Sequence, residues 1–135
     1  MKEKEIHEGR KRIDIVMENS AKDGIFHRLH DVRKMPCSFV PIECKNYTTD
    51  VANPELDQLS SRFSVNRGQV GILCCRKFED RAPFVKRCQD TLRDGRGAVI
   101  PLDDITVLRV LDLIGHGKRN ELDNEFTRLI NEVWT

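Results

Sequence analysis

Two acidic residues and one lysine interrupt stretches of sequence that are otherwise apolar. Asp14 lies within Arg12–Met17, and Glu43 and Lys45 lie near the end of Ser38–Lys45. Both stretches are predicted to be strands. Because side chains alternate along a strand, Glu43 and Lys45 share one face. Burying an unpaired charge is costly, so these residues are expected either to pair with one another or to hold a ligand.

Two carboxylates and a lysine suit the hydrolysis of a phosphodiester. Carboxylate oxygens are hard ligands of the kind that Mg²⁺ prefers, so Asp14 and Glu43 are predicted to bind this ion. A divalent cation held there polarises a phosphodiester and activates a water molecule. Lys45, on the same face as Glu43, is predicted to orient or deprotonate that water, or to stabilise charge on the phosphorane.

The elements that must position these residues begin with the two strands and a helix. Asn53 is predicted to cap this helix and Pro54 to occupy its first position. Leu56, Leu59 and Phe63 then form one apolar stripe. Upstream, residues 18–36 are interpreted as a polar connection with a turn at Asp23-Gly24, and Gly9 is predicted to close a hairpin between residues 3–8 and 11–18.

The rest of the chain alternates between strand and helix patterns. The predicted elements are a buried strand, a helix, a short strand and two further helices: Gln69–Arg76, Pro83–Arg93, Ala98–Pro101, Ile105–Ile114 and Asn120–Trp134. A helix between two buried strands implies parallel pairing. We therefore predict an α/β fold with a central mixed sheet of four to five strands flanked by helices. Residues 1–135 are expected to form a single domain, with a core at about 10–101 and C-terminal helices at 102–135.

The order of the acidic and basic residues resembles the PD-(D/E)xK nuclease superfamily, whose fold is restriction-endonuclease-like. In that family an aspartate on one strand is followed by Glu-x-Lys on the next, matched here by Asp14, Glu43 and Lys45. The run Glu-Cys-Lys-Asn-Tyr and the segment Asn53–Leu59 also look like restriction-enzyme-like proteins of bacteria. The resemblance covers residues 10 to 101.

The resemblance implies a metal-dependent endonuclease that hydrolyses phosphodiester bonds in DNA, in bacterial restriction, defence or repair. Asp14 and Glu43 would bind Mg²⁺, for which Mn²⁺ can substitute, and Lys45 would assist the attacking water. Gln58 would support the metal or phosphate site, although an exposed helix residue needs no such role. The implied partners are DNA and a second copy of the chain.

This sequence departs from the family pattern in two places. Ile13 stands where the family usually has a proline before the aspartate. The family core also begins with a helix that often supplies a further glutamate, and about ten residues precede the first predicted strand here. Glu3, Glu5 and Glu8 are candidates for a displaced acid or members of a charged edge strand. Either the domain has lost this helix, or a longer chain or a partner supplies it.

Other residues are weaker candidates. Asn46 and Tyr47 follow Lys45 and either contact a nucleic-acid backbone or form a turn. His27 and His30 are interpreted as solvated loop residues. Trp134 is interpreted as a core or interface anchor on the last helix.

Basic residues are concentrated between residues 62 and 87. Seven Lys and Arg face two acids there, a local net charge of +5. Such a cluster suits phosphate contacts, which position a nucleic acid without reading its sequence. A solvated surface explains it equally well.

Composition limits the class of protein. The chain has 135 residues and a net charge of +1, and no apolar run approaches the length of a membrane span. The N-terminus has no signal-peptide pattern, and the five cysteines, an odd number without a Cys-x-x-Cys pair, indicate a reducing compartment. A cytoplasmic protein without a membrane partner is expected, with its cysteines as core thiols.

Two alternatives to a nuclease remain open at the level of sequence. One is a catalytically impaired nucleic-acid-binding or scaffolding domain of the same fold. The other is a small α/β regulatory domain in which Asp14, Glu43 and Lys45 form a buried ion network.

Overall fold

Four strands form one mixed sheet in the part of the chain that the structure covers. The computed structural model describes residues 13–19, 21–45, 52–64, 66 and 68–134, and the side chains at 13, 14 and 53 lie outside that description. The strands are β1 (Ile13–Glu18), β2 (Phe39–Lys45), β3 (Val70–Cys75) and β4 (Ala98–Leu102). Their order in the sheet is β1-β2-β3-β4, with β1 antiparallel to β2 and the other neighbours parallel.

Five helices connect or follow these strands in the described residues. They are α1 (Gly24–Asp31), α2 (Asn53–Ser60), α3 (Arg81–Arg93), α4 (Asp104–Gly115) and α5 (Arg119–Trp134). α2 and α3 form the crossovers that parallel pairing of β2, β3 and β4 requires. The predicted α/β fold with a central mixed sheet flanked by helices is confirmed. Within the described residues, each helix is too short or too polar to span a bilayer.

The core lies on both faces of the central strands. Every side chain of β4 is buried, and β3 is buried except at Cys74, as an apolar run without alternation predicts. Helices α3 and α5 pack against β4 and against each other. The largest fully buried side chains are Phe84, Ile25, Leu29, Leu59, Leu73, Ile100, Leu129, Ile130, Glu43, Val40 and Val70. Glu43 is the one charged side chain in this set.

The interpretation of residues 18–36 as a polar connection is wrong in its middle, where α1 forms. Ile25 and Leu29 are spaced by four residues and are both buried, which gives this short helix an apolar stripe. Its first turn is capped from a distant element, because Asp123 of α5 accepts a hydrogen bond from the Ile25 N–H at 2.6 Å. His27 and His30 are therefore helix residues instead of loop residues.

Two local predictions about α2 also need correction. The helix begins at Asn53, one residue before the predicted first position at Pro54, and Ala52 occupies the capping position in place of Asn53. The Glu55 carboxylate accepts a hydrogen bond from the Ala52 N–H at 2.6 Å and so supplies the cap from inside the first turn. The helix ends at Ser60, which leaves Phe63 in the following turn, half-buried against the core.

The cysteines are not all core thiols. Cys37, Cys75 and Cys88 are buried, as predicted, but Cys44 is exposed and Cys74 is half-buried. Burial raises the pKa of the Cys74 thiol to about 12, and the neighbouring Cys44 adds to the effect. The apolar run around Cys44 correctly predicts a strand. It does not show whether both faces of that strand are covered, and the face that carries Cys44 is exposed.

Several predictions fall outside the described residues. The hairpin around Gly9, the acids Glu3, Glu5 and Glu8, and the pair Asn46 and Tyr47 all lie there. Trp134 packs against the core, and the Arg33 guanidinium lies 5.0 Å from the centre of its ring.

Candidate functional site

The backbone pairing of β1 and β2 places the two predicted metal ligands opposite each other. Asp14 and Glu43 are Cα partners in the antiparallel register. Residues directly opposed in an antiparallel pair share one face of the sheet and have neighbouring Cβ atoms. The Asp14 side chain lies outside the described part of the structure, so the register is what relates it to Glu43.

Glu43 is a buried carboxylate held beside a guanidinium. Its residue is 1% exposed, and its Oε1 lies 3.3 Å from Nη2 of Arg62. Arg62 follows the last turn of α2, and its backbone N–H donates to the Leu59 carbonyl. A buried carboxylate is stable only with compensating partners, so the turn after α2 supports the charge on Glu43.

Lys45 is held by a side chain of the same helix. Its Nζ donates a hydrogen bond to Oε1 of Gln58 at 2.9 Å. Leu56 and Leu59, which are 2% and 0% exposed, anchor α2 to the core and leave Gln58 turned toward β2. Glu43 and Lys45 therefore both contact α2 or the turn after it, which places them on one face of β2, as strand alternation predicts.

Arg62 is a site residue that the sequence indicates only as one member of the basic cluster at residues 62–87. A more specific signal is present, because Gln58 and Arg62 are four residues apart and so lie one above the other on a helical surface. The predicted helix, whose apolar stripe runs to Phe63, would place both side chains on the face toward β2. In the structure α2 ends at Ser60, and Arg62 reaches Glu43 from the turn that follows.

The basic cluster is less positive in the structure than in the sequence. Of the six basic residues of the cluster that the structure describes, four contact carboxylates: Arg62 contacts Glu43, Arg76 contacts Asp104, Lys77 contacts Glu79, and Arg81 contacts Glu132. Two of these acids, Asp104 and Glu132, come from the C-terminal helices. The local charge of +5 is therefore reduced by acids that lie far away in the sequence.

The two histidines of α1 form a separate group. His27 Nε2 lies 3.2 Å from one oxygen of Asp31, and His30 Nδ1 lies 3.1 Å from the other. The hydrogen bond from His30 is the main reason why the pKa of Asp31 is lowered. These contacts are confined to α1, so the structure does not bring His27 or His30 to Glu43 or Lys45.

A shallow apolar surface adjoins the candidate site. Val16, Phe39 and Pro41 line a small cavity of about 40 Å³ together with Arg62 and Gly68. Val16 and Phe39 are 41% and 42% exposed, so this part of the sheet face is open to solvent. A larger depression of about 490 Å³ lies between α1 and α5 and does not include Glu43 or Lys45.

The donor types at this site suit a hard divalent cation. Carboxylate oxygens from Asp14 and Glu43 are the appropriate ligands, and the Glu43 side chain is itself buried on β2. Among the side chains that the structure describes, no group of three or more His, Cys, Asp or Glu is placed to hold a metal ion. Asp14 is not among those side chains. Arg62 already neutralises Oε1 of Glu43 and would compete with a cation for that oxygen.

Comparison of this chain with protein-family models, with curated proteins and with solved structures finds no match. The function proposed below is therefore inferred from the chemistry of these residues and from the resemblance described above.

Proposed function

We propose that this chain is a Mg²⁺-dependent endonuclease that hydrolyses phosphodiester bonds in DNA, as the PD-(D/E)xK resemblance implies. The observation that carries the proposal is the shared placement of Glu43 and Lys45 on β2, with Lys45 hydrogen-bonded to Gln58. Asp14 lies opposite Glu43 in the register of β1 and β2. A carboxylate pair and a positioned amine on one sheet face match the demands of phosphodiester hydrolysis.

Each residue has a distinct role in this proposal. Asp14 and Glu43 hold Mg²⁺, which, when bound, neutralises phosphate charge and makes a water molecule a better nucleophile. Lys45 binds the attacking water or the phosphate oxygen through Nζ. Gln58 accepts a hydrogen bond from that same Nζ and so fixes the direction in which the amine points.

Arg62 adds a positive charge beside the carboxylates. Its guanidinium contacts Glu43 while the side chain stays one-quarter exposed, so it can also reach an approaching anion. A guanidinium presents a fork of donors that matches the oxygens of a phosphate. We assign Arg62 to the positioning of Glu43 and to the binding of the DNA backbone next to the bond that is cut.

The first experiment is cleavage of supercoiled plasmid in Mg²⁺ or Mn²⁺ by the wild type and by Lys45→Ala. We expect nicking by the wild type that disappears in chelator and falls at least a hundredfold in Lys45→Ala. Lys22→Ala, which alters an exposed lysine outside the site, is the matched control and retains full activity. Absence of nicking by folded wild type with both metals would contradict the proposal.

One contact favours a second function, that of a nucleic-acid-binding domain which does not cut. Arg62 lies 3.3 Å from Oε1 of Glu43 and would compete with a cation for that oxygen. In that case DNA binding persists in chelator and in Lys45→Ala, and Arg62→Ala weakens it. The plasmid assay separates the two functions, because only the nuclease nicks DNA in Mg²⁺ or Mn²⁺. A filter-binding assay over a salt series then tests the phosphate contacts of the non-cutting domain, since such contacts weaken steeply with salt.

A further inference from the structure

Two cysteines lie side by side on the face of the sheet opposite the candidate site. Cys44 of β2 and Cys74 of β3 are Cα partners in the parallel register, so both side chains project to the same face. Glu43 and Lys45, the neighbours of Cys44 in the chain, project to the other face because side chains alternate along a strand. The two thiols therefore form a pair that the proposed nuclease does not use.

Solvent reaches both members of this pair, and their thiols are in contact. Cys44 is exposed and Cys74 is half-buried, whereas Cys37, Cys75 and Cys88 are buried. Burial is the main reason why the pKa of Cys74 is raised to about 12, and the charge and hydrogen bond of the adjacent Cys44 thiol raise it further. Two sulfur atoms thus lie together at a surface that a ligand can approach.

We propose that Cys44 and Cys74 bind one soft metal ion, Cu(I), as a pair of thiolates. Thiolate sulfur is a soft donor that selects Cu(I) over hard cations such as Mg²⁺. Cu(I) is stable with two sulfur ligands in a linear arrangement, so the pair is sufficient without a third residue. The ion displaces the two thiol protons, which are released to solvent, and neither copper nor sulfur changes its oxidation state.

The spacing of the strands favours a bridging ion over a disulfide. Neighbouring strands of a sheet are about 4.7–4.9 Å apart. The Cβ atoms of a disulfide are only about 3.8 Å apart, so a disulfide would have to draw β2 and β3 together. Two metal–sulfur bonds of about 2.3 Å, the length in zinc–thiolate sites, span about 4.6 Å in line, which matches the spacing between the strands.

The surroundings of the pair suit Cu(I) better than zinc. A structural zinc site needs four ligands, and the side chains that the structure describes provide no group of three or more His, Cys, Asp or Glu for it. Apolar residues adjoin the pair on the same face, because Ile72 precedes Cys74 by two residues and Leu102 is its Cα partner on β4. Asp104 is close enough to raise the pKa of Cys74, but it lies 3.7 Å from Arg76, which offsets its charge.

Titration of the reduced protein with Cu(I) under argon tests the proposal, with bathocuproine disulfonate as a coloured competitor for the ion. We expect the wild type to withhold one equivalent of Cu(I) per chain from this chelator. In Cys44→Ser we expect the affinity to fall at least about a hundredfold, because residues that merely orient a metal ligand are already worth about 10–100-fold. Cys75→Ala is the matched control and is expected to bind as the wild type does, since Cys75 is buried on the other face of β3.

A second measurement identifies the ligands directly. X-ray absorption at the copper K-edge, on wild type loaded with one equivalent of Cu(I), is expected to show two sulfur neighbours. Thermal melting shows whether each variant is folded, and Cys44→Ala replaces Cys44→Ser if the latter is not.

Three results would overturn the proposal. They are equal binding of Cu(I) by the wild type and Cys44→Ser, an equal loss of binding in Cys44→Ser and Cys75→Ala, and a copper ion coordinated by nitrogen or oxygen. These measurements involve no DNA, so a failure of the copper site and a failure of the proposed nuclease are distinguishable.

Discussion

Lys45 and Gln58 are 13 residues apart in the chain and are joined by a 2.9 Å hydrogen bond between Nζ and Oε1. The bond connects the last residue of β2 with the middle of α2. Because Leu56 and Leu59 fix α2 in the core, Gln58 is a rigid acceptor for a long and otherwise mobile side chain. The amine of Lys45 is therefore held in one direction beside Glu43.

The first prediction concerns this bond. Gln58→Ala removes this acceptor and so loosens the orientation of the Lys45 amine, at an entropic cost when the reacting geometry must form. We expect the rate of plasmid nicking at saturating DNA to fall about tenfold to a hundredfold, with the apparent KM changed less than threefold. Single-turnover cleavage over a series of DNA concentrations separates the two parameters.

Ser61→Ala is the control for Gln58→Ala. Ser61 follows α2 directly, and its exposed hydroxyl donates a hydrogen bond to a backbone carbonyl, that of Gln58. We expect nicking by this variant within about twofold of the wild type, as for most surface substitutions. A Gln58→Ala protein as active as Ser61→Ala would show that the hydrogen bond to Lys45 has no part in the reaction.

Strand alternation alone is sufficient to place Glu43 and Lys45 on one face of β2. The period of a strand is two residues, and a one-residue error in register moves both side chains together, so the relation between them is secure. The contacts of Glu43 with Arg62 and of Lys45 with Gln58 lie beyond this rule. They depend on how α2 packs, which a period within β2 does not specify.

Helix α1 shows a different reason why a sequence pattern can mislead. Only eight residues long, it contains two histidines and begins at a glycine with a φ of +82°, a conformation typical of turns. Its cap is the carboxylate of Asp123, which accepts a hydrogen bond from the Ile25 N–H although the two residues are 98 positions apart in the chain. Local helix propensity contains no information about so distant a partner, and short helices are stabilised mostly by packing.

The second prediction concerns the pair formed by Arg62 and Glu43. Arg62→Ala leaves the buried Glu43 with less compensation for its charge, and we expect the free energy of unfolding to fall by about 1–3 kcal/mol. Adding Glu43→Gln removes that charge. The double variant is therefore expected to be more stable than the sum of the two single changes predicts, by about 1 kcal/mol or more.

Urea denaturation of the wild type, both single variants and the double variant measures this coupling. Arg93→Ala is the control for loss of an arginine, because Arg93 is exposed and contacts the nearby Asp90 at 3.5 Å. We expect it to change stability by less than about 0.5 kcal/mol. Additive effects of Arg62→Ala and Glu43→Gln would show that the two side chains do not support each other.

The third prediction is a pH dependence of stability that arises at Glu125. Its carboxylate accepts a 2.6 Å hydrogen bond from Arg128 and lies 3.4 Å from Arg109 of α4, with the side chain 11% exposed. The bond from Arg128 is the main reason why the pKa of Glu125 is lowered from its ordinary value of 4.5. A lowered folded-state pKa means that this stabilisation is present above about pH 4.5 and is lost as the pH falls through the lower value.

Glu125→Gln is therefore expected to lower the free energy of unfolding by an amount that depends on pH. We expect the wild type to be more stable than the variant by about 1 kcal/mol at pH 7 and this difference in stability to shrink as the pH falls below about 4.5. Urea denaturation of both proteins at several pH values measures this difference in stability. Other acids that titrate in the same range contribute equally to both proteins, so their contribution is removed when the two free energies are subtracted. A difference that stays constant from pH 7 to pH 3 would rule out Glu125 as its source.

The fourth prediction concerns two glycines at the start of β4. Gly95 and Gly97 both have positive φ, at +75° and +123°, so an alanine is strained at either position. Their surroundings differ. A Cβ on Gly95 would meet nothing within 4 Å, whereas a Cβ on Gly97 would lie 2.4 Å from the Phe63 ring and 2.7 Å from the Gln69 carbonyl oxygen.

Gly95→Ala is therefore expected to lower the free energy of unfolding by about 1 kcal/mol, from backbone strain alone. Gly97→Ala adds a steric overlap that a backbone oxygen cannot relieve, so we expect a loss of about 3 kcal/mol or more. Phe63 directly follows Arg62 in the chain, so displacement of its ring also moves the turn that carries the guanidinium beside Glu43. Urea denaturation gives the two stability changes. If they are equal, the close approach of Phe63 to Gly97 does not determine the position of this turn.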